Sequence, residues 1–354
     1  MASNFKPKRS ETTSSQRTVR QRRVKQADLP VPPLIKLVRL MICGLGLNAI
    51  AGTTISIISP PHQTITKKVA PAALSNKEIA SLKLTKPSSI LSQQLQVKLL
   101  QPTRSGTAKK SGLDASYIFV EIDSGEYSEL GSDRVLPAAS TIKLPILIAL
   151  FQDVDAQKIK LTEQLTISDR TIAGGSGDLR NQKPGTQVSV LVAATKMMTI
   201  SDNTATNMLI DRLGGKVALN QRFRAWGLKA TTINQPLPDL AGTNTTTAKE
   251  LTRSILAIQR GKIVSEFSRA QIINMMSRTT RNTMLPKGLG AGAKIAHKTG
   301  DIGTLIADVG SIESPSGKQY LAAVLVKRPH NSPAGPELIR QMSKVVYDYF
   351  EPGK

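Results

Sequence analysis

Ser140-Thr-Ile-Lys143, Ser201-Asp-Asn203 and Lys298-Thr-Gly300 stand in that order, far apart along 354 residues. A Ser-x-x-Lys alone carries little, since about one or two are expected by chance in a chain of this length. Ser3 and Lys6 match it as well, in a basic tail that offers no site. The two tripeptides are rarer, each arising by chance in roughly a few per cent of such chains, and their fixed order lowers the joint odds again. If the first segment is helical, Lys143 falls on the same face as Ser140 and can reach its hydroxyl.

The flanks extend the pattern: Gly174-Gly-Ser-Gly177 before the second motif, Ser201-Asp-Asn-Thr-Ala-Thr-Asn207 within it, Thr245-Thr-Thr247 after it and His297-Lys-Thr-Gly300 at the third. Motifs and flanks together resemble the class A β-lactamases and their penicillin-binding relatives, the penicillin-recognising serine enzymes, over about residues 88–352. The resemblance implies a serine hydrolase without a cofactor, acylated by a β-lactam or by a D-Ala-D-Ala-type peptide of the peptidoglycan stem.

A serine hydroxyl is a poor nucleophile until its proton is taken. Lys143 is the candidate acceptor, and the task needs a partly neutral amine, which burial and a nearby cation such as Lys298 favour. Pro137-Ala-Ala139 suits a helix entry, where free N–H groups and the positive dipole end stabilise an oxyanion. The bland alternative is an ordinary serine and a solvated lysine in the first turn of a helix. Ser201-Asp-Asn203 lies between two helical patterns, so capping is its plain reading. The resemblance implies more: Ser201 shuttles a proton to the leaving nitrogen, Asn203 bonds the substrate amide, and Asp202 braces the turn. It also implies that Lys298 and Thr299 receive a substrate carboxylate and that Gly300 lets the backbone pass close to the ligand. The next residue then supplies one oxyanion N–H and Ser140 the other. Here that residue is Asp301, whose side chain must either point away or select different substrates.

The chain departs from the family between the second and third motifs. Class A β-lactamases carry there a glutamate that activates the deacylating water, whereas residues 227–247 contain no glutamate. Their one acid, Asp239 in Pro236-Leu-Pro-Asp239, is the candidate deacylation base, with a turn or cap as its alternative. Without a base the acyl-enzyme persists, which implies a penicillin-binding or D-Ala-D-Ala-peptidase-like activity or a feeble β-lactamase. No arginine suited to a ligand carboxylate follows the third motif closely, since Arg328 lies beyond a second strand pattern.

Composition narrows the alternatives. With 40% hydrophobic residues the chain can bury one sizeable core. Aromatic residues make up only 3%, which gives no stacking platform for nucleic acid. The formal charge of +23 is uneven. Residues 1–39 hold ten Lys/Arg against Glu11 and Asp28, residues 60–112 nine against Glu78, and residues 113–354 hold 29 against 22 acidic groups. A salt-sensitive association with anionic wall polymers or lipid accounts for that excess. Cys43 is the single cysteine, and His62, His297 and His330 are dispersed, so neither a disulfide nor a metal centre is expected.

Residues 40–58 (LMICGLGLNAIAGTTISII) carry no charge over 19 residues, roughly 28 Å as a helix and enough to cross a hydrocarbon core. Arg20, Arg22, Arg23, Lys25, Lys36 and Arg39 precede the span and fewer cations follow, so the amino terminus is expected in the cytoplasm and the remainder outside. Ala49-Ile-Ala51 offers the alternative of signal cleavage and secretion. The expected organisation is a basic tail (1–39), an anchor or signal helix (40–58), a Pro/Ser/Thr/Lys linker (59–87) and a hydrolase domain (88–354). Within that domain the patterns predict a helix over 88–100 and strands over 115–122 and 126–130. Helices follow over 141–153, 189–199, 203–213, 216–226, 247–260 and 268–276, then strands over 305–312 and 319–326 and a closing helix over 336–350. Sheet elements at both ends with helices between predict an α+β domain: an antiparallel sheet flanked by terminal helices, with an inserted helical subdomain. A monomer is expected. A non-catalytic wall-binding module on the same fold is the rival reading, and the intact motif residues argue against it.

Overall fold

The computed structural model describes residues 84–96 and 112–351. A two-residue strand, β1 (Lys86–Pro87), leads into helix α1 (Ser89–Leu95), where the Ser88 hydroxyl accepts the Leu91 N–H at 3.2 Å. A hairpin of β2 (Asp114–Glu121) and β3 (Glu126–Leu130) follows. Next, β4 (Leu136–Pro137) and a 3₁₀ turn (Ala139–Ile142) run straight into α2 (Lys143–Asp155). The central segment holds the ribbon β5 (Gln164–Thr166) and β6 (Gln187–Ser189), helices α3 (Val190–Thr199), α4 (Asn203–Arg212) and α5 (Gly215–Ala225), β7 (Thr245–Thr246), and helices α6 (Ala248–Gln259) and α7 (Glu266–Ser277). Strands β8 (Lys294–Asp301), β9 (Leu305–Glu313) and β10 (Gln319–Lys327) lead to α8 (Ala334–Phe350).

The main sheet runs β1-β3-β2-β10-β9-β8. Every neighbouring pair is antiparallel except β1 with β3, which is parallel with Lys86 opposite Glu126. The sheet is therefore mixed, a correction to the antiparallel expectation. Lys86 and Pro87, assigned to the linker on composition, are one of its edges. A strand of two residues has no alternation to read, and its polar and proline content masks it; what makes it a strand is the pairing with β3.

Alternation along the long strands sorts the core into two layers. Tyr117 and Phe119 of β2 and Tyr320, Ala322, Val324 and Val326 of β10 pack with Leu91 and Leu95 of α1 and Leu338, Ile339, Met342 and Val346 of α8. Ile118 and Val120, and Leu321, Ala323 and Leu325, point the other way onto the central helices. A sheet covered on both faces reads as continuous apolar runs, and each large side chain so buried contributes about 1.5–3 kcal/mol. Helix α2 lies inside the central layer: Lys143, Leu144 and every residue from Pro145 to Phe151 are buried. Ser189, Asp202, Thr247 and Ser265 each cap a helix by accepting a backbone N–H from the third residue on, which is why the sequence pattern began one residue early at 189 and 247.

The tail, the apolar span at 40–58 and the linker up to residue 83 lie outside the described residues, as does the expected continuation of the first helix beyond residue 96. Among the described residues no helix is long and apolar enough to cross a membrane.

Candidate active site

Ser140 lies on the 3₁₀ turn that opens α2. The turn closes on Ala138, whose carbonyl accepts the Thr141 N–H at 3.1 Å and the Thr141 hydroxyl at 2.6 Å. Ala139, immediately before Ser140, has φ +46°. A left-handed non-glycine residue is strained by on the order of 1–3 kcal/mol and needs firm surroundings. The edge strand β8 supplies part of them. A Cβ built on Gly300 would lie 3.0 Å from the Ala139 Cβ and 3.2 Å from the Ser140 N, so glycine is what lets the strand run against the turn.

Lys143, the first residue of α2, is fully buried beneath this turn. Its Nζ lies 2.9 Å from Ser140 Oγ, 3.1 Å from the Ser201 carbonyl, 3.2 Å from Ser201 Oγ and 2.8 Å from Asn203 Oδ1. Asn203 Nδ2 donates to the Gly174 carbonyl at 2.9 Å, which leaves Oδ1 to face the lysine. Burial holds the Lys143 amine well below its ordinary pKa; the Lys298 charge adds to this and Asp202 opposes it. A neutral amine has two N–H groups and one lone pair. The Ser201 carbonyl and Asn203 Oδ1 can only accept, so they take the two N–H groups and the lone pair is left for a hydroxyl proton.

Lys298 on β8 is the second fully buried amine, donating to Ser201 Oγ at 3.1 Å and to the Thr299 carbonyl at 2.9 Å. Burial lowers it to about 7; Asp308 resists and Arg281 assists. Ser201, at φ +58°, thus holds its hydroxyl between two amines. Asp202, next to it, is buried and accepts the Ala205 N–H at 2.8 Å, the Asp178 N–H at 2.8 Å and the Leu179 N–H at 2.9 Å. It therefore ties the start of α4 to the loop after Gly177. Gly177 has φ +104°, and a Cβ there would fall 2.2 Å from Asp202 Cγ, so this loop position excludes any other residue. His297 is buried and bonded away from the motif serines: Nδ1 meets the buried Asp308 Oδ1 at 2.8 Å and Nε2 meets Oδ1 of the exposed Asn282 at 3.1 Å.

The resulting cleft of about 90 Å³, open to solvent, is lined by Ser140, Ser201, Lys298, Thr299 and Asp301 with Ser176, Thr199, Ile200, Thr279, Thr280 and Arg281. A larger groove of about 320 Å³ lies between α7 and the first half of β8, beside Arg269, Ile273 and Lys294, and contains none of the motif residues. The Asp301 carboxylate is bound by Arg281 at 2.8 Å and by Arg328 at 2.6 Å. Burial raises its pKa, but the Gly303 N–H, the Arg281 hydrogen bond and the two guanidinium charges outweigh this and hold it below the ordinary carboxylate value. Arg328 also donates to the Gly303 and Ser332 carbonyls and belongs to the frame. Arg281, in the loop after α7, is the cleft cation that the sequence did not reveal. It sits 17 positions before Lys298 in a run of polar residues with no pattern to mark it.

Asp239 is not among the residues lining the cleft. It is 2% exposed, and its oxygens accept from the Gln235 side chain, the Thr243 N–H at 3.0 Å, the Thr243 hydroxyl at 3.2 Å and the Asn244 N–H at 2.5 Å. The carboxylate braces its own turn, with three of the four bonds on Oδ1 and one on Oδ2, and it is buried away from the cleft. The loop around it is clamped to α4 by Asn207, which exchanges hydrogen bonds of 2.8 and 2.9 Å with the Leu237 backbone.

Comparison with known proteins agrees with this arrangement. The profile of Beta-lactamase2, the β-lactamase enzyme family, matches residues 99–350. The β-lactamase BRO-1 of Moraxella catarrhalis is 27% identical over 242 residues, covering 64% of this chain and 77% of that protein. Among solved structures, PBP-A is 50% identical with a TM-score of 0.71, covering 75% of this chain and 97% of that one. A PBP-A variant solved as an acyl-enzyme complex with penicillin G is 49% identical, with a TM-score of 0.71 over 75% and 98% of the two chains. An ancestral class A β-lactamase, 24% identical with a TM-score of 0.66 over 73% and 100%, shares the fold. The chain belongs to the β-lactamase enzyme family and is a class A β-lactamase-like serine hydrolase.

Proposed function

We propose that Ser140 is acylated by β-lactams and by D-Ala-D-Ala-type peptides, and that the acyl-enzyme is then released slowly. One observation carries the first half: the buried Lys143 amine, held below its usual pKa, lies 2.9 Å from Ser140 Oγ with its two N–H groups engaged elsewhere. Lys143 takes the Ser140 proton, and Ser201 passes a proton to the leaving nitrogen along the amine–hydroxyl–amine chain. The Ser140 and Asp301 amides receive the oxyanion. Lys298, Thr299 and Arg281 receive the substrate carboxylate, and Asn203 receives its amide. The slow second half is supported by Asp239, which is buried in its own loop outside the cleft, and by Asp301, whose carboxylate is paired with two arginines. This favours a wall D,D-peptidase or penicillin-binding protein over an efficient β-lactamase.

Intact mass after mixing the full chain with a penicillin is the direct test. One adduct per chain is expected, absent in Ser140→Ala; an adduct that maps to Ser176 or Ser201 would displace Ser140 as nucleophile.

We further infer an exported catalytic domain behind a single anchor at residues 40–58, supported by the uncharged run and the cations before it. Association with anionic wall polymers through the basic linker fits the same charge distribution. A reporter fused after Lys354 should work only in a form that requires the extracytoplasmic side, and the protein should fractionate with membranes. Recovery of the intact chain from the cytoplasm would end this reading, and a mature terminus at Gly52 would select secretion.

A further inference from the structure

We infer that Asp301 is a positioning residue for substrate selection: it holds the Arg281 guanidinium against the cleft wall, so that the cleft prefers ligands ending in a free carboxylate. The inference rests on the proposal that the cleft takes carboxylate-bearing peptides or β-lactams. The two oxygens of Asp301 have separate tasks. Oδ1 accepts the Gly303 N–H at 2.9 Å and Arg328 Nη2 at 2.6 Å, which fixes the carboxylate to the frame. Oδ2 accepts Arg281 Nη2 at 2.8 Å.

The backbone around Arg281 is pinned without Asp301. The Thr279 hydroxyl donates to the His297 carbonyl at 2.7 Å, the Thr280 N–H to the Thr199 carbonyl at 2.9 Å, and the Leu285 N–H to Asp308 Oδ2 at 3.0 Å. The Arg281 side chain is a different matter. It is 48% exposed, and among the described residues Asp301 is its one polar partner. A long, half-exposed arginine without that contact samples many rotamers, most of them pointing into water. The position after Gly300 therefore acts at a distance through its side chain, in addition to the backbone N–H that the turn geometry offers.

Asp301→Asn separates the two tasks. The asparagine Oδ1 can keep the Gly303 and Arg328 bonds, while its Nδ2 then faces Arg281 donor to donor, so the frame stays and the Arg281 contact goes. The full chain carrying Ser140→Ala is titrated with acetyl-D-Ala-D-Ala and, separately, with its C-terminal amide, so that binding is read without acylation. The protein that retains Asp301 is expected to prefer the acid, and Asp301→Asn to lower the acid-to-amide affinity ratio by about tenfold, the scale of one charge-assisted hydrogen bond. Asp301→Glu should recover part of the ratio, and in an Arg281→Ala background Asp301→Asn should leave it where it is. A protein with Asp301 that shows no preference for the acid, a ratio unchanged or raised by Asp301→Asn, or an equal fall without Arg281 would overturn the inference. Failure of the native-serine chain to gain penicillin mass would count against the acylation proposal instead, because the binding measurement involves no acyl transfer.

Discussion

Lys143→Ala is expected to slow acylation of Ser140 by about 10²–10⁴, or about 3–5 kcal/mol of barrier, as measured by the rate of penicillin mass gain. The effect is large because, among the described residues, Lys143 is the amine hydrogen-bonded to Ser140 Oγ, while the Lys298 amine reaches Ser201 instead. The fold should survive. An amine whose pKa is depressed in the folded state opposes folding wherever the unfolded chain is protonated, and the opposition shrinks with rising pH only where the folded one is not. For Lys298 that window runs from about 7 to 10.5; stability rises with pH across it, and the full opposing contribution remains below it. Lys143 is shifted in the same direction. Lys143→Met, which also fills the space, should therefore be at least as stable as the native protein near neutral pH in denaturant titrations. Acylation of the native enzyme should rise with pH as Lys143 sheds its proton, with a midpoint well below 10.5. Normal labelling by Lys143→Ala would remove the lysine from the mechanism, and an unfolded Lys143→Met would show that the amine is structural.

The acyl-enzyme is expected to be long-lived, so a chromogenic β-lactam should give a burst of about one product per chain followed by slow turnover. A general base acting on water is worth about 10²–10⁴ in rate, and its absence should be correspondingly plain in the decay of the adduct mass. Asp239 is the residue to challenge. Its carboxylate accepts four hydrogen bonds within its own loop, so Asp239→Asn is expected to lower stability by roughly 1–3 kcal/mol through lost acceptor capacity while leaving deacylation nearly unchanged. Rapid turnover in the native protein that Asp239→Asn abolishes would instead make this aspartate the base.

The three motifs were legible in sequence because each is local. Ser140 and Lys143 are one helical turn apart, Ser201 to Asn203 form a single helix entry, and Lys298 to Gly300 lie along one strand. The helices and long strands were legible for a similar reason, since burial on one or both faces imposes a period on residues adjacent in the chain. From these the sequence determined the α+β class and the motif serines and lysine that meet at the cleft, but not Arg281 beside them.

What it could not determine depends on contacts between segments distant in the chain. The parallel pairing of β1 with β3 exists only through its partner. The acid–base state of Lys143 and Lys298 follows from the shell that closes over them, in which Asp202, Asp308 and Arg281 come from three different elements. Asp239 and Asp301 are each a lone acid in sequence, one a candidate base and the other an anomaly. The tertiary structure binds the first into its own loop and sets the second between Arg281 and Arg328, because a carboxylate's chemistry is fixed by the donors that reach it and not by its neighbours along the chain.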